Sequence, residues 1–169
     1  MNAETIRTIM NPILSETHDR VFIMLVGAPC SNKTRLAEYM SFLWNVPVVS
    51  PNDIRKRFME ADPDEFSEVS VFDTAHSEMQ KFLHSKSVVI YDATNCYPKW
   101  RKKTLNELKG HYGLAICIQS AATLTDCIIN NTNNGCEVPD QVIEKMHYNL
   151  ERNPPNLKEG FDLILKYTD

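Results

Sequence analysis

Apolar residues along this chain fall into two rhythms. Short, nearly unbroken runs occur at VFIMLV (21–26), PVVS (47–50), SVVIYD (87–92), LAICIQ (114–119) and FDLILKY (161–167). Such runs predict strands buried on both faces. Between them the apolar positions recur every three or four residues. That period predicts helices from Lys33 to Trp44, over 53–60 and 64–85, from Pro98 to Lys109, near 123–131, and from Pro139 to Arg152. Pro98 suits a first helical turn, where a missing N–H costs nothing. Ile6, Ile9, Met10, Ile13 and Leu14 share one face of a segment before HDR (18–20), which predicts an accessory N-terminal helix within 1–18 that covers the core. The polar stretches NNTNNG (130–135) and NPPNLKEG (153–160) read as loops.

Buried strands alternating with helices give an α/β fold, a parallel sheet with helices on both faces. At 169 residues, 43% hydrophobic and 24% charged, the chain suits one domain over 1–169. The apolar run at 21–26 is far too short to cross a bilayer and no leader pattern precedes it, so the expectation is a soluble, cytoplasmic protein without a membrane partner. Cys30, Cys96, Cys117, Cys127 and Cys136 form no C-x-x-C pair, which fits free thiols. The histidines show no metal-ligand spacing. The net charge of −4 excludes a protein that coats nucleic acid by bulk electrostatics but leaves room for a local basic site. Nothing in the sequence sets an oligomeric state.

The first candidate chemistry is GAPCSNKT, Gly27, Ala28, Pro29, Cys30, Ser31, Asn32, Lys33 and Thr34. A buried strand runs into Gly27 and a helix follows from Lys33, the context a phosphate-binding loop requires. Backbone N–H groups would face the phosphates, Lys33 would add positive charge, and the Thr34 hydroxyl could ligate magnesium. Asn32 stands where a second glycine is usual. Asparagine is among the side chains that best tolerate the left-handed region, although it could crowd a phosphate. The second candidate is YDATN (91–95), which places Asp92 at the carboxyl edge of the sheet, where it could serve magnesium or the transferred proton.

GAPCSNKT, SPNDIR (50–55), FDTA (72–75), YDATN followed by PKWRKK (98–103), EVP (137–139) and EGFD (159–162), in that order, resemble the P-loop kinase family around bacteriophage polynucleotide 5'-hydroxyl kinase. The resemblance runs from about residue 21 to the end. It implies a five-stranded parallel sheet, ATP and magnesium as cofactors, and transfer of the terminal phosphate to a hydroxyl, commonly on a nucleic acid: a 5' end or the hydroxymethyl of a modified base. It also implies that Lys33 and Thr34 hold phosphate and metal, that Arg55 contacts the acceptor, and that Asp92 is the D-x-T-N aspartate.

Two family features are changed. The general base is Asn52 here, with Asp53 one step later, and an amide cannot accept a proton at neutral pH. The lid arginines are replaced near Asn130 and Asn134, which carry no charge toward a transferring phosphate. Three readings stay open: an active kinase using Asp53 or Asp92 as base, a degenerate homologue that binds nucleotide or nucleic acid as a partner, and a nucleotide hydrolase. Asp92 is the expected base, with Asp53 expected to be occupied in capping its helix. Lys99, Arg101, Lys102 and Lys103, with Trp100 among them, form the expected acceptor-binding cluster. Asn130, Asn131 and Thr132 match a glycosylation triplet only by chance.

Overall fold

The computed structural model describes residues 1–61 and 67–169. Five parallel strands, β1 (Val21–Val26), β2 (Val48–Val49), β3 (Val88–Tyr91), β4 (Leu114–Ser120) and β5 (Leu163–Tyr167), form one sheet in the order β2-β3-β1-β4-β5. The helices are α1 (Ala3–Glu16), α2 (Lys33–Trp44), α3 (Pro51–Ala61), α4 (Glu68–Lys86), α5 (Pro98–Glu107), α6 (Leu124–Asn133) and α7 (Asp140–Arg152). A 3-10 turn, Leu157–Glu159, precedes β5.

Every residue of β1 is buried, because the strand is central and covered twice. Its side chains alternate between two cores. Phe22, Met24 and Val26 join Ile54 of α3, Val71, Ala75, Met79 and Leu83 of α4, Leu105 of α5 and Leu150 of α7. Val21, Ile23 and Leu25 join Ile6 and Met10 of α1, and Leu36, Ala37 and Met40 of α2. Each of these side chains larger than alanine contributes about 1.5–3 kcal/mol of transfer free energy. Both neighbours of β1 are reached by crossing in opposite directions. Its carboxyl end is therefore the switch point, where an open α/β sheet leaves a crevice.

The N-terminal helix covers the core as its apolar stripe predicts. Asn2 caps it by accepting from Thr5 N at 3.0 Å, and Thr168 N donates to Met1 O at 2.7 Å, fixing the segment along β5. Several expected boundaries shift. The helix expected over 53–60 starts at Pro51, where Ser50 O accepts from Asp53 N and Ile54 N at 3.1 Å. The helix expected over 64–85 is α4, and residues 64–66 of that expectation lie outside the described residues. The expected loop 130–135 is helical through Asn133, because the capping box of Thr123 and Asp126 starts α6 firmly and Asn131 is buried. α5 stops at Glu107 rather than Lys109.

Candidate functional site

The chain leaves β1 at Gly27, whose N–H donates to Thr94 O at 2.9 Å and so joins the loop after β1 to the loop after β3. A side chain has no room here. A Cβ on Gly27 would lie 2.5 Å from Ser31 Oγ, 3.0 Å from Ser120 Cβ and 3.1 Å from Lys33 Cδ. The loop then turns through the left-handed region at Cys30 (φ 59°) and Asn32 (φ 61°) without a glycine at either position. Asn32 does not crowd the loop's interior. Its amide nitrogen reaches outward to Asp169 Oδ2 at 2.7 Å, beside Arg35, which meets the same oxygen at 2.9 Å.

Among the described residues, the backbone N–H groups of Ala28, Cys30, Ser31, Asn32, Lys33 and Thr34 donate to no protein acceptor. Consecutive unpaired donors at a helix N-terminus are what an anion needs. The carbonyl of Ser31 is fixed from behind by Ser120 Oγ at 2.8 Å. Lys33 is buried and its Nζ turns into its own loop, donating to Ala28 O at 2.7 Å and Ser31 Oγ at 3.1 Å. Burial holds its pKa below the ordinary lysine value, against the pull of Asp92. A phosphate in the loop would relieve that cost.

Thr34 Oγ1 donates to Asp92 Oδ2 at 2.7 Å. Asp92 is buried at the end of β3, and burial raises its pKa, opposed by the Thr34 hydrogen bond and by Lys33 and reinforced by Asp53. A hydroxyl and a carboxylate in contact beside a lysine are the protein ligands a magnesium ion with several waters requires. The unpaired N–H groups, Lys33, Thr34 and Asp92 thus fit magnesium and a nucleotide's phosphates. Burial also pushes the Cys30 thiol up to about 12, so it stays neutral inside the loop.

Beneath Asp92 lies a buried polar frame that the sequence reading missed. Asn95, at φ 48°, donates from Nδ2 to Leu25 O at 2.8 Å. Its own carbonyl accepts from Arg101 Nη1 at 3.1 Å. Arg101 is fully buried and grips Glu159 through Nε and Nη2, each at 2.6 Å. Its expected place in the acceptor cluster is therefore wrong. It shares the inward stripe of α5 with Thr104 and Leu105, and EGFD supplies its carboxylate. Asp162 of the same motif accepts from Ala115 N at 2.8 Å and registers β5 against β4.

The rest of the cluster stays outside. Trp100 is 49% exposed, with Lys99 Nζ 4.9 Å and Lys103 Nζ 5.8 Å from its ring centre. Lys102 is exposed.

Arg55, the expected acceptor contact, is engaged within the protein. Its Nε and Nη2 each meet Glu68 at 2.7 Å, and Nη1 donates to Asn52 Oδ1 at 2.6 Å. Asp53 is not occupied in capping as expected. α3 begins two residues earlier, so Asp53 lies in its first turn with an exposed side chain, 3.8 Å from Lys56 Nζ. An open groove of about 480 Å³ runs from Ser50 past Asp53 and Arg57 to Glu78, Lys81 and Phe82.

At the expected lid position, Asn130 Nδ2 donates to Cys30 O at 3.0 Å, so this amide rests on the loop of residues 27–34 itself. Asn134 ends α6 and is exposed. Asn131 Oδ1 accepts from Val138 N at 3.1 Å and Cys30 Sγ at 3.5 Å, while its Nδ2 donates to Val138 O at 2.7 Å. The acceptor position of the glycosylation triplet is Asn130, whose amide is engaged with Cys30 O.

A family model described as an AAA domain (AAA_33) matches residues 22–153. The chain belongs to that family. Among solved structures this AAA-domain chain is similar to a chain of the Pnkp1/Rnl/Hen1 RNA repair complex, at 22% identity and TM-score 0.69, covering 86% of this chain and 47% of that one. It is similar to a gluconokinase from Sinorhizobium meliloti, at 13% identity and TM-score 0.57, covering 87% and 81%. It also resembles a shikimate kinase from Acinetobacter baumannii, at 14% identity and TM-score 0.53, covering 88% and 84%. No curated protein matches by sequence. The expected α/β fold with a five-stranded parallel sheet is borne out, and the expected kinship is met at the level of that family. Among the described residues no helix is long and apolar enough to cross a membrane.

Proposed function

We propose that the chain is a phosphotransferase that carries the terminal phosphate of ATP, with magnesium, to a hydroxyl of a nucleic acid. The observation that carries this reading is the Thr34–Asp92 contact of 2.7 Å beside a loop with unpaired N–H groups and a buried lysine. Magnesium there would neutralise charge on the phosphates and draw them into a fixed orientation. The loop N–H groups and Lys33 bind the phosphates, and Thr34 and Asp92 hold the metal. Because Asp92 is engaged with Thr34, the base falls to Asp53, which is exposed and close enough for its charge to raise the pKa of Asp92. Asp53 would take the acceptor hydroxyl's proton as that oxygen bonds to the phosphorus and the bridging oxygen leaves with the diphosphate. Arg55 meets the acceptor's own phosphate only by exchanging its bond to Glu68.

Labelled ATP offered with 5'-hydroxyl DNA, 5'-hydroxyl RNA and hydroxymethylated duplex DNA tests the proposal. Label on at least one is expected; label on small molecules only, or none, overturns it. A binding-only homologue is the second reading, favoured by the Asn52–Arg55–Glu68 contacts that occupy the arginine. It is distinguished by nucleotide binding without transfer. Release of inorganic phosphate without an acceptor would mark a hydrolase.

A further inference from the structure

A second groove, of about 330 Å³, lies between the N-terminal end of α5 and α7, lined by Tyr97, Lys145, Tyr148, Asn149 and Arg152. Its chemistry contrasts with the whole. The chain carries a net charge of −4, yet this groove is lined by cations, aromatic rings and an amide, and among the described residues no acid lines it. Among the described residues neither Lys145 nor Arg152 has an ion-pair partner, and Glu151 is turned to His147 at 3.4 Å. The four α7 residues are spaced three, four and seven positions from Lys145, so they form one stripe beside the core-facing stripe of Ile143 and Leu150. Tyr148 is 51% exposed, a large aromatic face held open to solvent.

The groove is joined to the reaction centre by covalent and hydrogen-bonded structure. Asn149 Nδ2 donates to Cys96 O at 2.7 Å, and Tyr97 follows in the loop that began at Asp92. Trp100 lies one turn beyond Tyr97, its N–H donating to Tyr97 O at 3.0 Å, with Lys99 across its ring. Aromatic faces alternating with unpaired cations suit a chain of unstacked bases on a phosphate backbone. A duplex keeps its bases stacked and offers such rings nothing but phosphate.

We infer that the groove formed by Tyr97, Lys145, Tyr148 and Arg152, extended by Lys99 and Trp100, binds single-stranded nucleic acid outside the transfer centre. This deepens the proposal of a nucleic-acid acceptor and rests on it only for the direction in which the strand leads. Binding itself needs neither nucleotide nor magnesium.

The test uses the full chain and fluorescent oligothymidylate and oligouridylate of about 20 nucleotides, long enough to fill the groove and its flank, followed by anisotropy without ATP or metal. Binding is expected, weakening as salt rises because phosphate counterions are released. Tyr148→Ala and the pair Lys145→Glu with Arg152→Glu should each weaken it roughly tenfold, with unchanged circular dichroism since all three residues are on the surface. A blunt duplex of equal length should bind more weakly, and polyglutamate should compete poorly. Absent binding, equal binding of duplex, equal competition by polyglutamate, or variants that bind like the natural chain would overturn the inference. Strand binding that the variants abolish, with no phosphate transfer to any acceptor, would uphold the groove and sink the kinase proposal. Transfer with unaltered variants would do the reverse.

Discussion

Thr34 and Asp92, 58 positions apart in sequence, are joined by a 2.7 Å hydrogen bond from hydroxyl to carboxylate. The first residue lies in the first turn of α2 and the second directly follows β3, so the contact spans the crevice at the sheet's switch point. It has a cost. Burial disfavours the Asp92 anion, just as it disfavours the Lys33 cation next to it. A metal and phosphates bound there would offset that cost.

Asp92→Asn is therefore expected to raise the melting temperature of the ligand-free chain at neutral pH. The folded pKa of Asp92 lies above its unfolded value, so the penalty is absent in acid and grows as pH rises through the folded pKa. The stabilisation should accordingly shrink toward acidic pH. Scanning calorimetry at several pH values reads this directly, and the same variant should lose the magnesium dependence of nucleotide binding.

Lys33→Met should weaken ATP binding roughly 10- to 100-fold, the range for losing a charged hydrogen bond to phosphate. Its folded pKa is lowered, so the cation is a liability at all pH values below the unfolded lysine pKa. The ligand-free variant should thus be no less stable than the natural chain. Titration calorimetry with thermal melts tests both halves, and undiminished ATP affinity would remove Lys33 from the site.

For the proton, Asp53→Asn should lower transfer roughly 100- to 10,000-fold, the span of general-base contributions, while leaving ATP affinity unchanged. Asn52→Asp should not rescue it unless Arg55 is also released, since Asn52 Oδ1 is bonded to Arg55 Nη1. Rates at saturating magnesium with the best acceptor decide the matter. An unaffected Asp53→Asn enzyme would return the role to Asp92.

Arg101→Met leaves Glu159 buried without its partner and should cost about 3–5 kcal/mol of stability. Replacing both residues by apolar ones of similar volume should recover much of that loss. Urea unfolding of the single and double variants measures the difference. If Arg101 instead served the acceptor, its removal would change transfer without changing stability.

Gly27→Ala brings a methyl within 2.5 Å of Ser31 Oγ and 3.1 Å of Lys33 Cδ. Both atoms belong to the phosphate loop, so nucleotide binding should be lost while the sheet remains folded. Calorimetry with circular dichroism checks the pairing of those outcomes.

Local sequence determined the strands, the phosphate loop and the fold class. VFIMLV is legible because a central parallel strand is apolar on both faces, and GAPCSNKT because a strand, a turn and a helix start are contiguous. The tolerance of Asn32 for a positive φ was likewise a property of one residue. Tertiary structure alone decided which charges face inward. Arg101 reads as one more cation in KWRKK, and only its register with Thr104, Leu105 and Leu108 on the buried stripe, completed by Glu159 from a distant motif, turns it into a strut. Asp53 and Arg55 were visible as candidates, but a helix start two residues early freed the first, and α4 brought Glu68 to occupy the second. The cationic stripe of α7 was present in the spacing of Lys145, Tyr148, Asn149 and Arg152, but the groove came into being only when Tyr97 was packed against it. Burial and partnership are long-range quantities, set by which surfaces meet, whereas backbone periodicity is fixed within a few residues.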